Sequence, residues 1–368
     1  MLYLCSTLFD VQAPAACVRT GQYEGTDVNS LAQPAPRALF RDRTAALAHT
    51  SILTWTVAGW LLSFQWMGAS GLAWNVAGVV CCAHTMILAA YLIHEAAHQN
   101  LFTLPSANRA AGEVMSFIAG SSYASFERLR HLHIRHHVDR ADLTCFDFKG
   151  LLQRRPNVRR SLQALEWAYV PATEVLMHLQ VVWRPFFVAA QRRHLPRAAT
   201  MLGVRLSMLA LLGVWSAKAL LLYFVAYGLV LHVLNFFDAF HHTFDQYFVE
   251  ADDPVPMNGR DRQYEQENTF SNLISPRYRW LNLLTLNFGY HNAHHHRPSV
   301  PWYRLPALHE DLYGAQARAV LPLSELMRTW HRNRVRRVTS DDYGVPGTGP
   351  GRADGFVGAH GVSFLTVV

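Results

Sequence analysis

Charge is what this chain most conspicuously lacks. Between Arg43 and Glu95 there is no Asp, Glu, Lys or Arg, and from Ala198 to Phe237 only Arg205 and Lys218 interrupt the apolar run. Charged residues make up 16% of the whole and hydrophobic residues 51%. A soluble core spreads its apolar residues more evenly, so these runs point to an integral membrane protein with a large aqueous portion. Cysteine is sparse: Cys5, Cys17, Cys81, Cys82 and Cys145 form no CxxC pair and no disulfide framework, which suits a reducing compartment. The N-terminus has no basic leader, and Asp10 breaks its apolar run, which argues against a cleaved signal peptide. The net charge of +7 sits outside the apolar runs, as in Arg154-Arg155, Arg159-Arg160, Arg192-Arg193 and Arg332 to Arg337. Such clusters set membrane topology, and no nucleic-acid partner is expected.

The apolar runs divide the chain. Residues 1–36 read as a flexible N-terminal tail, 37–337 as the membrane domain and 338–368 as a disordered Gly/Pro-rich tail. Spans are expected at 45–65, 72–93, 199–217 and 219–238, pairing into two hairpins. Residues 157–187 alternate apolar residues with Arg159, Arg160, Glu166, Glu174 and Arg184, a pattern for membrane-adjacent helices rather than a span. Arg205 is placed to snorkel and Lys218 to sit in the outer turn.

What the chain has in quantity is histidine. His94 and His98 lie at i, i+4; His133, His136 and His137 at i, i+3, i+4; His291, His294 and His295 repeat that spacing. On a helix each group shares one face. Imidazole is the commonest neutral metal ligand, and three such groups point to metal. Two hairpins bring all the groups, with His241 and His242, to one side of the bilayer; an odd span count would divide them. The segment His94-Glu95-Ala96-Ala97-His98 also fits H-E-x-x-H, the zinc-protease motif with Glu95 as general base. That reading leaves most of the other histidines without work. About nine imidazoles can instead saturate two metal ions while leaving room for oxygen, which favours iron chemistry on a lipid-like substrate.

The pattern HxxxH, HxxHH, HxxHH set around two hairpins resembles the membrane-bound fatty acid desaturases and their hydroxylase relatives. The likeness runs from about Leu61 to Leu312. Asn235 to Phe244, and Tyr290 to His295 followed by Arg297-Pro298, are similar to the bacterial acyl-lipid-type branch. The resemblance implies an all-α integral membrane protein with about four transmembrane helices in two hairpins and a cytoplasmic, histidine-rich di-iron cap. It implies two iron ions held by His94, His98, His133, His136, His137, His291, His294 and His295. His242 is the implied additional ligand, with His241 as its substitute. Glu95 then takes a supporting role, hydrogen-bonding a ligand histidine. Asn235 and Asp238 are further candidates near the metal, whereas His131, His178, His194 and His296 are left outside it. The implied reaction is O₂-dependent desaturation of a fatty acyl chain linked to lipid, carrier protein or CoA, with hydroxylation or acetylenation as alternatives. Electrons are expected from a separate ferredoxin or similar protein, since no cytochrome b5-like segment is evident. Membrane lipids are expected neighbours, and the bacterial inner membrane the expected location.

Overall fold

The structure is a computed structural model that describes residues 38–249, 253–257, 259–314, 320–347, 351–363 and 365–366. The expected flexible N-terminal tail lies outside the described residues. Among the described residues, four helices are long and apolar enough to cross a membrane. They are α1 (Arg43–Gly68), α2 (Leu72–Ala97), α8 (Leu195–Trp215) and α9 (Ala217–Ala239).

Local chemistry explains where the first hairpin starts and turns. Asp42 caps α1 by accepting from Ala45 N at 2.7 Å. At the far end Asn75 Nδ2 donates to Trp66 O, Met67 O and Ala69 O, satisfying carbonyls that α1 cannot use. Gly71 turns the chain at φ 106°. Gly78 lets the two helices touch, since a Cβ there would sit 2.7 Å from Met67 N. The second hairpin turns at Ser216, whose Oγ accepts from Ala219 N, and Lys218 Nζ donates to Ala69 O at 2.6 Å. The turns of the two hairpins are thereby joined.

Helix α2 packs against α1, α3 (Pro105–Ala119) and α9. Its second half is buried on every side, as its unbroken apolar sequence requires. It also packs against α4 (Phe126–Asp139), after which α5 (Phe148–Arg154), α6 (Pro156–Trp167) and α7 (Ala172–Phe187) pack on one another in turn, α7 reaching α8 and α9. The segment expected to hold membrane-adjacent helices is thus α6 and α7. After α9 come α10 (Arg262–Glu267), a 3₁₀ helix Arg279–Thr285, α11 (His291–His296), α12 (Leu305–Tyr313) and α13 (Leu323–Asn333).

Two features depart from the sequence reading. The chain is not purely helical: β1 (Asp142–Thr144) and β2 (Gln246–Phe248) pair in parallel, Asp142 opposite Gln246. Such a three-residue pairing leaves no periodic signal. The second departure is the C-terminal tail, expected to be disordered. Phe356 is fully buried between Phe240 and Phe270, Arg337 Nε donates to Val357 O at 2.8 Å, and Ala359 N donates to Ala239 O at 2.8 Å. The few apolar residues among the glycines insert into gaps around the end of α9, so composition alone misjudges this segment.

Candidate metal centre

Each histidine group arrives on its own element. His94 ends α2 and His98 caps it; His133, His136 and His137 face inward from α4. His241 and His242 follow α9 directly, and α11 carries His291, His294 and His295. This short helix is held by its Asn292, which accepts from Ser271 Oγ at 2.9 Å and donates to Thr269 O. Gly289 allows the approach, since a Cβ there would lie 2.9 Å from Asn272 O.

The imidazoles form two nitrogen sets, and His137 and His295, one from each, also group with a carboxylate oxygen of Glu265. One contains His94, His98, His133, His137 and His294; the other contains His136, His242, His291 and His295, each set's nitrogens lying within 4.8 Å of one another. In the first, His98 and His133 bring Nε2 atoms to 2.8 Å, and His94 and His294 to 3.0 Å. In the second, His242 Nε2 is 2.8 Å from His291 Nε2 and 3.2 Å from His136 Nε2. His242 therefore joins a set. His241 does not: its Nε2 bonds Asn272 Oδ1 at 2.9 Å, and its ring stacks on His291.

The outer nitrogens fix several tautomers. His136 Nδ1 donates to Ala141 O at 2.8 Å, and His295 Nδ1 donates to Glu265 Oε1 at 3.0 Å. Each leaves its Nε2 lone pair directed into the set, and His295 Nε2 is buried with no hydrogen-bond partner. Burial pushes His98 and His136 down to about 3, so both are neutral at physiological pH. Neutral, convergent imidazoles with an unpartnered buried nitrogen fit bound metal ions.

Glu265 was not singled out by sequence, because it sits in a polar stretch whose spacing relates to none of the histidines. Its burial alone would raise its pKa. Hydrogen bonds from His295 and Arg140 outweigh this and hold the carboxylate below its usual range. Glu95 is placed differently from its expected part. Its Oε2 accepts from Trp302 N at 3.0 Å, and its Oε1 lies 3.7 Å from His94 Nδ1, beyond a hydrogen bond. It ties the end of α2 to the loop after α11. Asp238 Oδ1 lies 4.0 Å from His241 Nδ1, and Asn235 is buried on α9.

A small cavity of about 60 Å³ adjoins the second set, bounded by Leu132, Leu143, Asp238, Phe288 and Val362 with the histidines themselves. Leu132, Leu143, Phe288 and Val362 give it an apolar side, and Asp142 and Asp238 add two carboxyl groups to its lining.

Residues 69–326 match the family model for fatty acid desaturases. The chain belongs to the fatty acid desaturase family. It is similar to the sphingolipid delta(4)-desaturase of Rattus norvegicus, 29% identical over 296 residues, covering 76% of this chain and 75% of that protein. Its likeness to the Xenopus tropicalis sphingolipid delta(4)-desaturase is 29% over 268 residues, 69% of each chain. This desaturase is an oxidoreductase of lipid metabolism, its family implies iron, O₂ and a lipid acyl substrate, and its four apolar helices make it a membrane protein. The zinc-protease reading of His94 to His98 falls with this membership, and Glu95 is occupied with the Trp302 amide.

Proposed function

We propose that this desaturase introduces a carbon–carbon double bond into a lipid-linked fatty acyl chain at a di-iron centre on the cytoplasmic side of the membrane. The observation that carries this reading is the grouping of nine imidazoles into two sets, linked through His137, His295 and Glu265. His94, His98, His133, His137 and His294 would hold one iron, and His136, His242, His291 and His295 the other. When bound, the pair of irons supplies the one-electron and O₂ chemistry needed to remove hydrogen from an unactivated methylene.

The protein's own contribution is positional. Glu265 holds the His295 Nδ1 proton, so that His295 presents Nε2; Ala141 O does the same for His136. Phe244 stacks on His242 and Phe288 packs edge-on against His94, shielding the nitrogens from water. The names of the two relatives support a lipid-linked substrate over a carrier-protein thioester. We assign electron delivery to a separate ferredoxin-like protein.

The test is metal analysis of detergent-purified protein expressed with iron, followed by lipid profiling of cells with and without it. About two irons per chain and a new alkene in a membrane lipid are expected. A single zinc would remove the di-iron proposal, and a hydroxylated product would reassign the reaction while leaving the centre in place.

A further inference from the structure

A second cavity, of about 270 Å³, lies between α7, α8, α9 and the turn that follows α3. It is unlike the histidine pocket. Its walls carry Tyr123, His178, Tyr223 and Tyr227, and a guanidinium, that of Arg205. Arg205 is ten residues into α8, about 15 Å along the helix axis, and only 7% of it is exposed.

Charge in such a position calls for a partner. Arg197, two turns earlier on α8, has one: it pairs with Glu113. Arg205 meets no carboxylate among the described residues. Of the five donors a guanidinium carries, Nη2 reaches back to Phe117 O near the end of α3. Nη1 has Tyr223 Oη at 3.5 Å and the Met208 sulfur at 3.9 Å, Tyr123 also bonds the guanidinium, and its carbon lies 4.4 Å from the centre of the Phe117 ring; all of these partners are neutral. Glu174 of α7 does not line the cavity. An intramembrane cation without a counter-charge is costly, and an anion entering the cavity would remove that cost.

The cavity has a route for such an anion. Leu179 and Phe224, on its rim, are 46% and 51% exposed on faces of α7 and α9 that point outward. A lipid can therefore enter sideways from the bilayer without crossing water. His178 Nδ1 is committed to Glu174 O at 2.8 Å, leaving Nε2 as an acceptor for a hydroxyl. The tyrosine hydroxyls can donate to the same head group.

We propose that this cavity binds the acidic head group of a membrane lipid, a carboxylate or phosphate paired with Arg205, with its hydrocarbon tail leaving between Leu179 and Phe224. The site stands apart from the histidine nitrogens, and its occupancy does not depend on the reaction proposed above.

The experiment measures binding of oleate, dioleoylphosphatidylglycerol and dioleoylphosphatidylcholine to the full chain in an uncharged detergent, by native mass spectrometry. An acidic lipid should bind at least about tenfold more tightly than the zwitterionic one, a difference of about 1.4 kcal/mol. Arg205→Gln should abolish that preference and Arg205→Lys retain part of it. Leu209→Trp, one turn along α8 from Arg205, fills the cavity while keeping the guanidinium, and should also abolish it. This second variant carries the test if Arg205→Gln does not fold. A preference for oleate alone assigns a carboxylate site, and for the phosphatidylglycerol alone a phosphate site. Equal binding of all three by the wild type, or a preference unchanged in Leu209→Trp, overturns the proposal and leaves Arg205 as a cap for α3.

Discussion

Glu265 Oε1 accepts the Nδ1 proton of His295 at 3.0 Å, across 30 residues of chain, in a buried pair. Arg140 Nε donates to the other oxygen of Glu265 at 3.2 Å, linking the end of α4 to the carboxylate that orients α11. Replacing Glu265 by Gln keeps the shape but offers a weaker, uncharged acceptor. Metal retention should fall by roughly 10–100-fold, while the fold persists. Equilibrium dialysis against a chelator measures this, with circular dichroism as the control.

His241 and His242 are neighbours in sequence, yet their nitrogens have different partners. His242→Ala removes a nitrogen from the second set and should lower iron content from about two per chain towards one, abolishing desaturation. His241→Ala leaves both sets complete, and should keep the iron while reducing turnover through the lost stacking on His291. Elemental analysis beside product yield separates the two.

Glu95→Gln distinguishes a structural carboxylate from a general base. The buried bond from Trp302 N is weakened, and a loss of about 1–3 kcal/mol in stability is expected. Iron should stay bound and residual desaturation should be measurable. Loss of all activity with stability unchanged would return Glu95 to a chemical role.

The metal-free protein should lose stability on acidification. His98 and His136 sit at about 3 in the folded chain, against about 6.5 when unfolded. Below about pH 6.5 the unfolded state takes up protons that the folded state refuses, so stability falls with pH; above that value these two contribute no pH dependence. Thermal unfolding of chelator-treated protein between about pH 8 and about pH 5 should show a plateau and then a decline. Iron loading should protect until protons compete for the nitrogens.

Phe356 tests the packed tail. Its ring centroid lies 5.3 Å from that of Phe240, and Thr329 Oγ1 donates to its carbonyl at 2.8 Å. Phe356→Ala should destabilise the protein by about 3–5 kcal/mol, read from unfolding in detergent. A disordered tail would make the substitution silent.

Sequence alone determined the parts of this protein that obey a local rule. Stretches without charge can only be satisfied in lipid by helices, so α1, α2, α8 and α9 were readable as four apolar helices. The histidines at i, i+3 and i+4 share a face whatever the tertiary structure does, which made the three groups visible before any fold was known. Tertiary structure decided what depends on convergence. It separated His242 from His241, which share a local environment and differ only in what reaches them from Asn272 and α11. It brought Glu265 to His295 and turned Glu95 towards Trp302, because a hydrogen-bond partner far along the chain is chosen by packing and leaves no period behind. It also buried Phe356 and Ala359 in a segment whose glycines suggested disorder, since a few well-placed apolar side chains suffice when the gap they fill already exists.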